Sequence, residues 1–416
     1  MGARWRRPLA PRAGSGRKRR VRVADGTASA DDAVDLNHPS TKFRRVLEVG
    51  ALFAWLGLIG FGGPAAHIGL IRREVVERRG WLRDEEFADL VGASALIPGP
   101  TSSELAMHVG KVRAGLPGML AAGLGFLTPS ALMVGIIAWG AAVATVAEFA
   151  DPVLAGLLPV VLAIVVHAGA GFGRTVLRGR SAPVVAVGAA VGVSAGLHEL
   201  VVLGCAAAVG VALVRARRRR PGVASVLPLG SLLAIVDGAG SGFPLVRIAW
   251  SFVTIGATVF GSGYVLVSFL EREFVQRAGW ATSQQVLDAV VAGQVTPGPL
   301  FTAATHLGYQ FAGIPGAVVA TVSIFLPSFL LVGLLGPLVG RIRRSVSASA
   351  ALDHLNAASF GILTVAVAVL GRVAIADVPA AVVGLVALLL LWRRALGSGP
   401  LLLGGVMLGL LRTAAM

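Results

Sequence analysis

Residues 61–100, FGGPAAHIGLIRREVVERRGWLRDEEFADLVGASALIPGP, lie on residues 260–299, FGSGYVLVSFLEREFVQRAGWATSQQVLDAVVAGQVTPGP, without a gap at an offset of 199, and roughly a third of the paired positions are identical. Phe61 pairs with Phe260, Gly62 with Gly261, Arg73 with Arg272, Glu74 with Glu273, Gly80-Trp81 with Gly279-Trp280, Asp89 with Asp288, and Pro98-Gly99-Pro100 with Pro297-Gly298-Pro299. With small gaps the match continues, through Pro117-Gly118 with Pro315-Gly316, to Phe126-Leu127-Thr128-Pro129-Ser130 with Phe325-Leu326-Pro327-Ser328. Chance does not hold a register this long, so the chain is a tandem duplication.

The sequence around the repeat is that of a membrane protein. It has 416 residues, 55% hydrophobic and 14% charged, whereas a soluble domain carries roughly a quarter charged residues. Mean hydropathy is +0.79. Residues 115–146, 153–171, 248–269 and 314–340 contain no Asp, Glu, Lys or Arg. Runs of about 20 residues at 1.5 Å each cross about 30 Å of hydrocarbon. The 55 glycines and 21 prolines sit largely inside apolar runs, where close helix packing and broken helices use them. The single cysteine, Cys205, also lies in an apolar run, which predicts a small packed side chain and excludes a disulfide framework or a cysteine-rich metal site.

The net charge of +16 comes largely from arginine clusters. Arg4, Arg6, Arg7, Arg12, Arg17, Lys18, Arg19, Arg20 and Arg22 occupy a Pro/Gly/Ala tail, and Arg215 with Arg217 to Arg220 follow an apolar run directly. That placement predicts cytoplasmic anchors against anionic lipid headgroups rather than a nucleic-acid surface. No apolar core with a small-residue cleavage site precedes about residue 46, so the tail does not read as a signal peptide. The expected organisation is a disordered basic tail over 1–45, a first half over 46–220, a linker over 221–244 with room for an extra short span, and a second half over 245–416.

Charge gives the halves opposite directions. The long span of the first half starts at Lys111 and Arg113 and ends at Glu148 and Asp151, whereas its counterpart from Ile314 ends at Arg341, Arg343 and Arg344. Basic flanks belong inside. The next loops agree: Arg174, Arg178 and Arg180 in the first half, but Arg372 beside Asp377 in the second. The expected fold is an all-α polytopic bundle of about ten to twelve spans formed by two inverted halves, an arrangement that gives transporters two states. The Arg72 to Arg83 stretch is too basic to lie outside, which predicts re-entrant segments or a local override of the charge rule.

Each half interrupts an apolar segment with Pro-Gly-Pro, after Leu96-Ile97 and before Thr101-Ser102-Ser103-Glu104 in the first, and between Gln294-Val295-Thr296 and Leu300-Phe301-Thr302 in the second. No helix runs through two prolines flanking a glycine. Irregular backbone at membrane depth must be buried in protein or line a watery cavity. A helix restarting with Thr101 or Ser102 as N-cap would aim free N–H groups and a positive dipole end into that cavity, and two such ends facing each other predict an anion site. Packing kinks alone are the plainer alternative.

A second signature is the glycine break followed by bases and acids: Gly60-Phe61-Gly62-Gly63-Pro64 before Arg72-Arg73-Glu74, and Gly261-Ser262-Gly263 before Glu271-Arg272-Glu273. Arg73 and Arg272 are the oxyanion candidates, because a guanidinium fork binds two oxygens and stays protonated; an interfacial helix paired with its own acids or with lipid is the alternative. Gly80-Trp81 and Gly279-Trp280 read as interfacial anchors. Glu104, with His108 one turn later, is a proton-relay candidate because ionisation inside a membrane is costly; pairing with His108 or Lys111 along the helix is its plainer role. Glu74 and Glu273 are further coupling candidates. In the second half only His306 remains at the place of the Glu104 and His108 pair, and the scattered His67, His167, His198 and His354 form no spaced metal set. No Gly-x-x-x-x-Gly-Lys-[Ser/Thr] loop is present, so transport would draw on an ion gradient or run downhill.

At these residues the sequence resembles the chromate ion transporter family in its long, two-domain form. The resemblance rests on Phe61-Gly62-Gly63-Pro64 with His67, Arg73-Glu74, Trp81, both Pro-Gly-Pro breaks, Gly293-Gln294 with Thr296, Gly308-Tyr309 and Ile324-Phe325-Leu326-Pro327-Ser328-Phe329, and covers about residues 46 to 412. It implies proton-coupled efflux of chromate, with sulfate as competing analogue and chromate resistance as the outcome. Gly261-Ser262-Gly263 departs from the three glycines more usual there. The expected substrate contacts are Arg73, Arg272, Gly62, Gly63, Gly261, Gly263, Gln294, Thr296, Thr101, Ser102 and the two Pro-Gly-Pro triplets, Pro98-Gly99-Pro100 and Pro297-Gly298-Pro299. Glu104, Glu74, Glu273 and His108 are expected to couple protons. The expected partners are a small oxyanion, protons and lipid, with a homo-oligomer compatible with the sequence. No cofactor or nucleic acid is expected, and the location is the cell membrane with the basic N-terminus cytoplasmic. Uptake or exchange of sulfate is the rival within transport. An embedded enzyme lacks a Gly-x-Ser-x-Gly elbow or a His-Glu-x-x-His pair, and a non-transporting scaffold leaves the duplicated breaks unexplained.

Overall fold

The computed structural model describes residues 39–61, 63–142, 144–218, 244–260 and 263–414. The expected linker, except for Pro244 at its end, and most of the N-terminal tail therefore lie outside the described residues; residues 39–45, expected in the tail, begin the first helix. The first half consists of α1 (Pro39–Ile59), α2 (Gly63–Arg72) continued by a π turn (Arg73–Arg78), α3 (Asp84–Ser94), α4 (Thr101–Ala142), α5 (Ala144–Val176), α6 (Ala182–Ser194) and α7 (Glu199–Arg218). The second repeats the order: α8 (Pro244–Thr258), α9 (Leu266–Leu270) with a π turn (Glu271–Arg277), α10 (Ser283–Val295), α11 (Ala303–Arg344), α12 (Val346–Ala374), α13 (Val378–Trp392) and α14 (Ser398–Ala414). Even the π turns recur at matched positions. A 3-10 turn over Leu300–Thr302 precedes α11, where α4 begins directly as α-helix. The tighter turn spans more length per residue, and beyond it the offset between halves is 198 instead of 199, so Ser130 matches Ser328.

The helices labelled α4 and α11 are each two helices joined by a sharp turn. Ala114 (φ −143°) and Gly115 (φ +68°) leave helical space in the first, and Ala312 (φ −153°) and Gly313 (φ +60°) in the second. A Cβ on Gly110 would sit 2.6 Å from the Ala122 Cβ, and Met107 packs against Gly123, so the segment before the turn folds back along the segment after it. Only a hydrogen side chain permits that approach, since lipid supplies no hydrophobic push between helices and close packing must hold them.

Ionic contacts show where the chain reverses. Glu48 in the middle of α1 meets Arg79 after the π turn (3.5 Å) and Arg113 at the end of the short helix (3.2 Å), and both guanidinium groups lie over the Trp81 ring, at 5.3 and 4.8 Å. The chain thus leaves one level in α1, turns at Gly60 and returns at Arg79; it leaves again in α3, turns at Pro98-Gly99-Pro100 and returns at Arg113. These two re-entrant hairpins keep the basic Arg72 to Arg83 stretch on its own side. In the second half the same positions form an aromatic cluster: Arg247 over Trp280 (4.7 Å), with Phe274 and Phe311 against that indole.

The halves are inverted. Met119 of α4 faces Gly333 of α11, while Gly123 faces Phe329, so numbering rises along one span as it falls along the other. In α5 and α12 Gly169 faces Leu363 and Gly173 faces Phe360, again antiparallel. The halves also exchange their ends: α6 and α7 pack on α12, and α13 and α14 pack on α5. Among the described residues five helices are long and apolar enough to cross a membrane, Thr101–Ala142, Val153–Val176, Glu199–Ala216, Leu300–Leu334 and Val346–Ala374, with four shorter apolar helices besides. Cys205, expected to be packed, is instead exposed on α7.

Candidate functional site

The second Pro-Gly-Pro break is buried throughout and the first at Gly99 and Pro100, with Pro98 half-buried; each is docked on the other half. Gly99 N–H donates to the Val259 carbonyl and Gly298 N–H to the Gly60 carbonyl, both at 2.8 Å. Gly60 and Val259 are equivalent positions, the turns of the α1–α2 and α8–α9 hairpins. The arrangement is therefore reciprocal, with each re-entrant tip hydrogen-bonded to the tip of the inverted copy. Gly99 (φ +131°) and Gly298 (φ +105°) hold conformations that side chains avoid. A Cβ on Gly298 would lie 2.6 Å from Ser130 Cβ, and one on Gly99 would strike Glu104 and Ser328.

A side-chain pair backs each dock. Ser328 Oγ donates to Glu104 Oε1 at 3.0 Å, with the Pro98 carbonyl at 3.4 Å. In the equivalent place Ser130 Oγ meets Thr302 Oγ1 at 3.0 Å, and Thr302 also donates to the Pro299 carbonyl at 2.9 Å. By this geometry Thr302 is the counterpart of Glu104. One interlock is ionisable and the other is neutral. Glu104 is fully buried, forms no ion pair among the described residues, and leaves Oε2 without a partner. His108 and its counterpart His306 are buried nearby in sequence, with Nε2 and Nδ1 respectively unpartnered. Lys111, an expected partner for Glu104, instead donates to the Val332 and Gly333 carbonyls at 2.8 Å, tying the halves together.

The expected N-cap moves by one residue. Ser103 and Glu104 N–H groups both reach the Pro100 carbonyl, which makes Pro100 the cap and Thr101 and Ser102 the first helical residues. Thr296 is buried and bonds back to the Ala292 carbonyl at 2.9 Å. Gly62 and Gly261 lie outside the described residues. Gly63 (φ +79°) sits under the Tyr264 hydroxyl, which is hydrogen-bonded to Gln294, while Gly263 is buried in a 3-10 turn. Gln294 keeps its Nε2 buried without a partner.

The charged candidates lie on the π turns, one hairpin arm away from the breaks. Arg73 is exposed and makes no ion pair among the described residues. Arg272 is held on every nitrogen: Nε by Glu199 (2.6 Å), Nη1 by the Val193 carbonyl (2.9 Å) and Nη2 by the Leu197 carbonyl (3.0 Å). The helix equivalent to α7 begins at Ser398, with Gly397 before it and no acid nearby, so the duplication supplies no matching acid for Arg73. Glu74 is buried against Arg78 (2.7 Å) and Arg79 (3.5 Å); Glu273 binds Arg277 (2.5 Å) and Ser251 (2.9 Å). A wide groove of about 1020 Å³ between α4 and α11 carries no charged side chain and suits acyl chains. A smaller cavity of about 430 Å³ is polar, and Arg272 and Arg372 both line it. None of the break residues does.

Sequence reasoning missed Ser130, Ser328 and Thr302 as partners of the breaks, Glu199 as the acid on Arg272, and Glu271 and Arg372 as lining of one cavity. The matched Phe-Leu-(Thr)-Pro-Ser motifs carried the first signal, since a serine kept after proline in both spans needs a reason.

A family model described as chromate transporter matches residues 47–211 and 246–410. Those two stretches cover the two halves in register. A chromate transport protein of Cupriavidus metallidurans is 31% identical over 86% of this chain and 90% of its own length. One of Pseudomonas aeruginosa is 30% identical over 86% of this chain and 90% of that protein. An uncharacterized transporter of Methanocaldococcus jannaschii is 22% identical over 88% of the chain. No solved structure matches it.

Proposed function

Since the chain belongs to the chromate transporter family, a family of membrane transporters and not of enzymes, we propose that it exports chromate across the cell membrane, driven by the proton gradient. The observation that carries this reading is the reciprocal docking of two re-entrant tips between antiparallel halves. Each half has the same elements facing the opposite way, so exchanging their conformations moves the opening from one face to the other. Glu104 makes the exchange sensitive to protons. Its interlock with Ser328 is the only one of the two with a titrating partner, and an uncompensated carboxylate held away from water is costly.

Arg73 and Arg272 are the proposed oxyanion contacts. Inversion places them at opposite ends of the molecule, so each would serve one opening, with the dipole ends at Thr101 and Leu300 between them. Outward direction and chromate resistance as the outcome follow the family resemblance, a cytoplasmic basic N-terminus follows from the arginine clusters, and sulfate is the analogue expected to compete.

Proteoliposomes test this directly. Chromate flux should follow an imposed pH gradient, and Glu104→Gln should weaken that dependence while still exchanging chromate across the bilayer. Gradient-driven flux by Glu104→Gln equal to that of the parent chain would remove the proton role. Arg73→Ala that inserts normally and transports at the parental rate would remove that arginine from the path.

A further inference from the structure

The polar cavity between α6, the second π turn and α12 holds two buried oxygens for which the proposed function has no use. Glu271 is 2% exposed; Ser283 donates to its Oε1 at 2.7 Å, but Oε2 has no partner. Ser268, one turn earlier and 1% exposed, leaves its hydroxyl unpartnered. Both line the 430 Å³ space together with Arg272, Gln276 and Arg372. Position 271 corresponds to Arg72 in the first half, where the side chain is exposed and paired with Glu77 and Asp84. The buried acid is thus particular to this half.

The charges around Glu271 pair off in a definite way. On its own turn Arg272 is taken by Glu199, and Arg277 is shared by Glu199 and Glu273. Just before α7, His198 lies 3.5 Å from Glu199 and accepts from the Leu200 N–H. From α10 comes the neutral Ser283, from α8 Ser251 on Glu273, and from α6 the uncharged Val193 and Ser194. From α12 comes Arg372, exposed and without an ion pair among the described residues. What remains is one cation and one carboxylate lining a cavity of about 430 Å³, which has room for a small ion together with water.

A fully deprotonated oxyanion and an ionised carboxylate both only accept hydrogen bonds, so they repel unless a proton lies between them. We infer that this cavity binds a tetrahedral oxyanion together with one proton, its anionic oxygens on Arg372, Ser268 and the outer N–H groups of Arg272, and its hydroxyl donating to Glu271 Oε2. Glu271 is then a specificity residue. Chromate takes up a proton near neutral pH, whereas sulfate does so only in strong acid, and the carboxylate therefore admits the first and repels the second. The inference deepens the oxyanion-transport reading and rests on it.

Equilibrium binding of radiolabelled chromate and sulfate to the full chain in detergent tests it, alongside chromate flux in proteoliposomes. In the parent chain chromate affinity should fall as pH rises through neutrality, approaching tenfold per unit for one linked proton, and sulfate should compete weakly. Glu271→Gln carries an amide that donates as well as accepts, so it should flatten the pH slope and let sulfate compete. Arg372→Ala, at an exposed position that does not threaten folding, should weaken chromate binding about tenfold or more. Parental affinity in Arg372→Ala, or parental slope and selectivity in a folded Glu271→Gln, would overturn the site while leaving transport intact. Absence of chromate flux in the parent chain would instead overturn the transport reading itself.

Discussion

Ser328 has one proton to give and two acceptors in reach, Glu104 Oε1 at 3.0 Å and the Pro98 carbonyl at 3.4 Å. Removing it strands a buried acid, which costs about 1–3 kcal/mol. Ser130 is different, because Thr302 keeps its bond to the Pro299 carbonyl and only about 1 kcal/mol of net hydrogen bonding is at stake. Thermal unfolding in detergent should show a larger loss for Ser328→Ala than for Ser130→Ala; equal losses would mean that the acid is satisfied by something else. Glycines allow a similar contrast. Gly80 has positive φ but open space around it, so Gly80→Ala should cost about 1 kcal/mol of left-handed strain. Gly99→Ala adds a collision with Glu104 and Ser328 to the same strain, and should abolish assembly of the interlock, read as loss of monodisperse protein. The sequence showed Gly99 as part of a break and Gly80 as part of an interfacial Gly-Trp anchor, but it could not show that Gly99 had a serine from the other half pressed against it.

The hairpins are the working elements, and their stability rests on a few polar ties. Arg272 fastens the second π turn to the α6–α7 turn through Glu199, with the two side chains 12% and 3% exposed. Breaking such a buried pair costs about 3–5 kcal/mol. Glu199→Ala should therefore loosen the α6–α7 turn, detectable as faster proteolysis or amide exchange near Leu197, whereas unchanged protection would show that packing alone holds it. Much of this level was legible beforehand. Repetition marked both breaks, and charge marked a segment too basic to cross, which the structure resolves as re-entrant. The sharp turns at Gly115 and Gly313 were not read beforehand, because the matched Pro117-Gly118 and Pro315-Gly316 just beyond them fit the first turn of a new helix as well as a kink in a continuous one. Nor was the pairing of Arg272 with Glu199, since the two lie 73 residues apart and in different halves; periodicity reports faces of one helix and says nothing of which distant helix covers them.

For the whole molecule, inversion is the claim that organises the rest, and chemistry can measure it. With Cys205 replaced, Met119→Cys/Gly333→Cys and Gly123→Cys/Phe329→Cys should each cross-link, because those positions face one another along antiparallel spans; cross-linking of Met119→Cys with Phe329→Cys in preference to both would mean another register. Arg79→Cys and Ala278→Cys should react with impermeant reagents from opposite faces. The exchange of terminal hairpins, α6–α7 onto α12 and α13–α14 onto α5, bears on origin as well. An ancestor consisting of a single copy could have formed this architecture only by inserting both ways up in one bilayer, each molecule lending its tail to an upside-down neighbour. Fusion into one gene released the copies from sharing a sequence. Glu48, Arg79 and Arg113 on one rim and Arg247, Ala278 and Phe311 on the other record how each copy has since specialised for its own face.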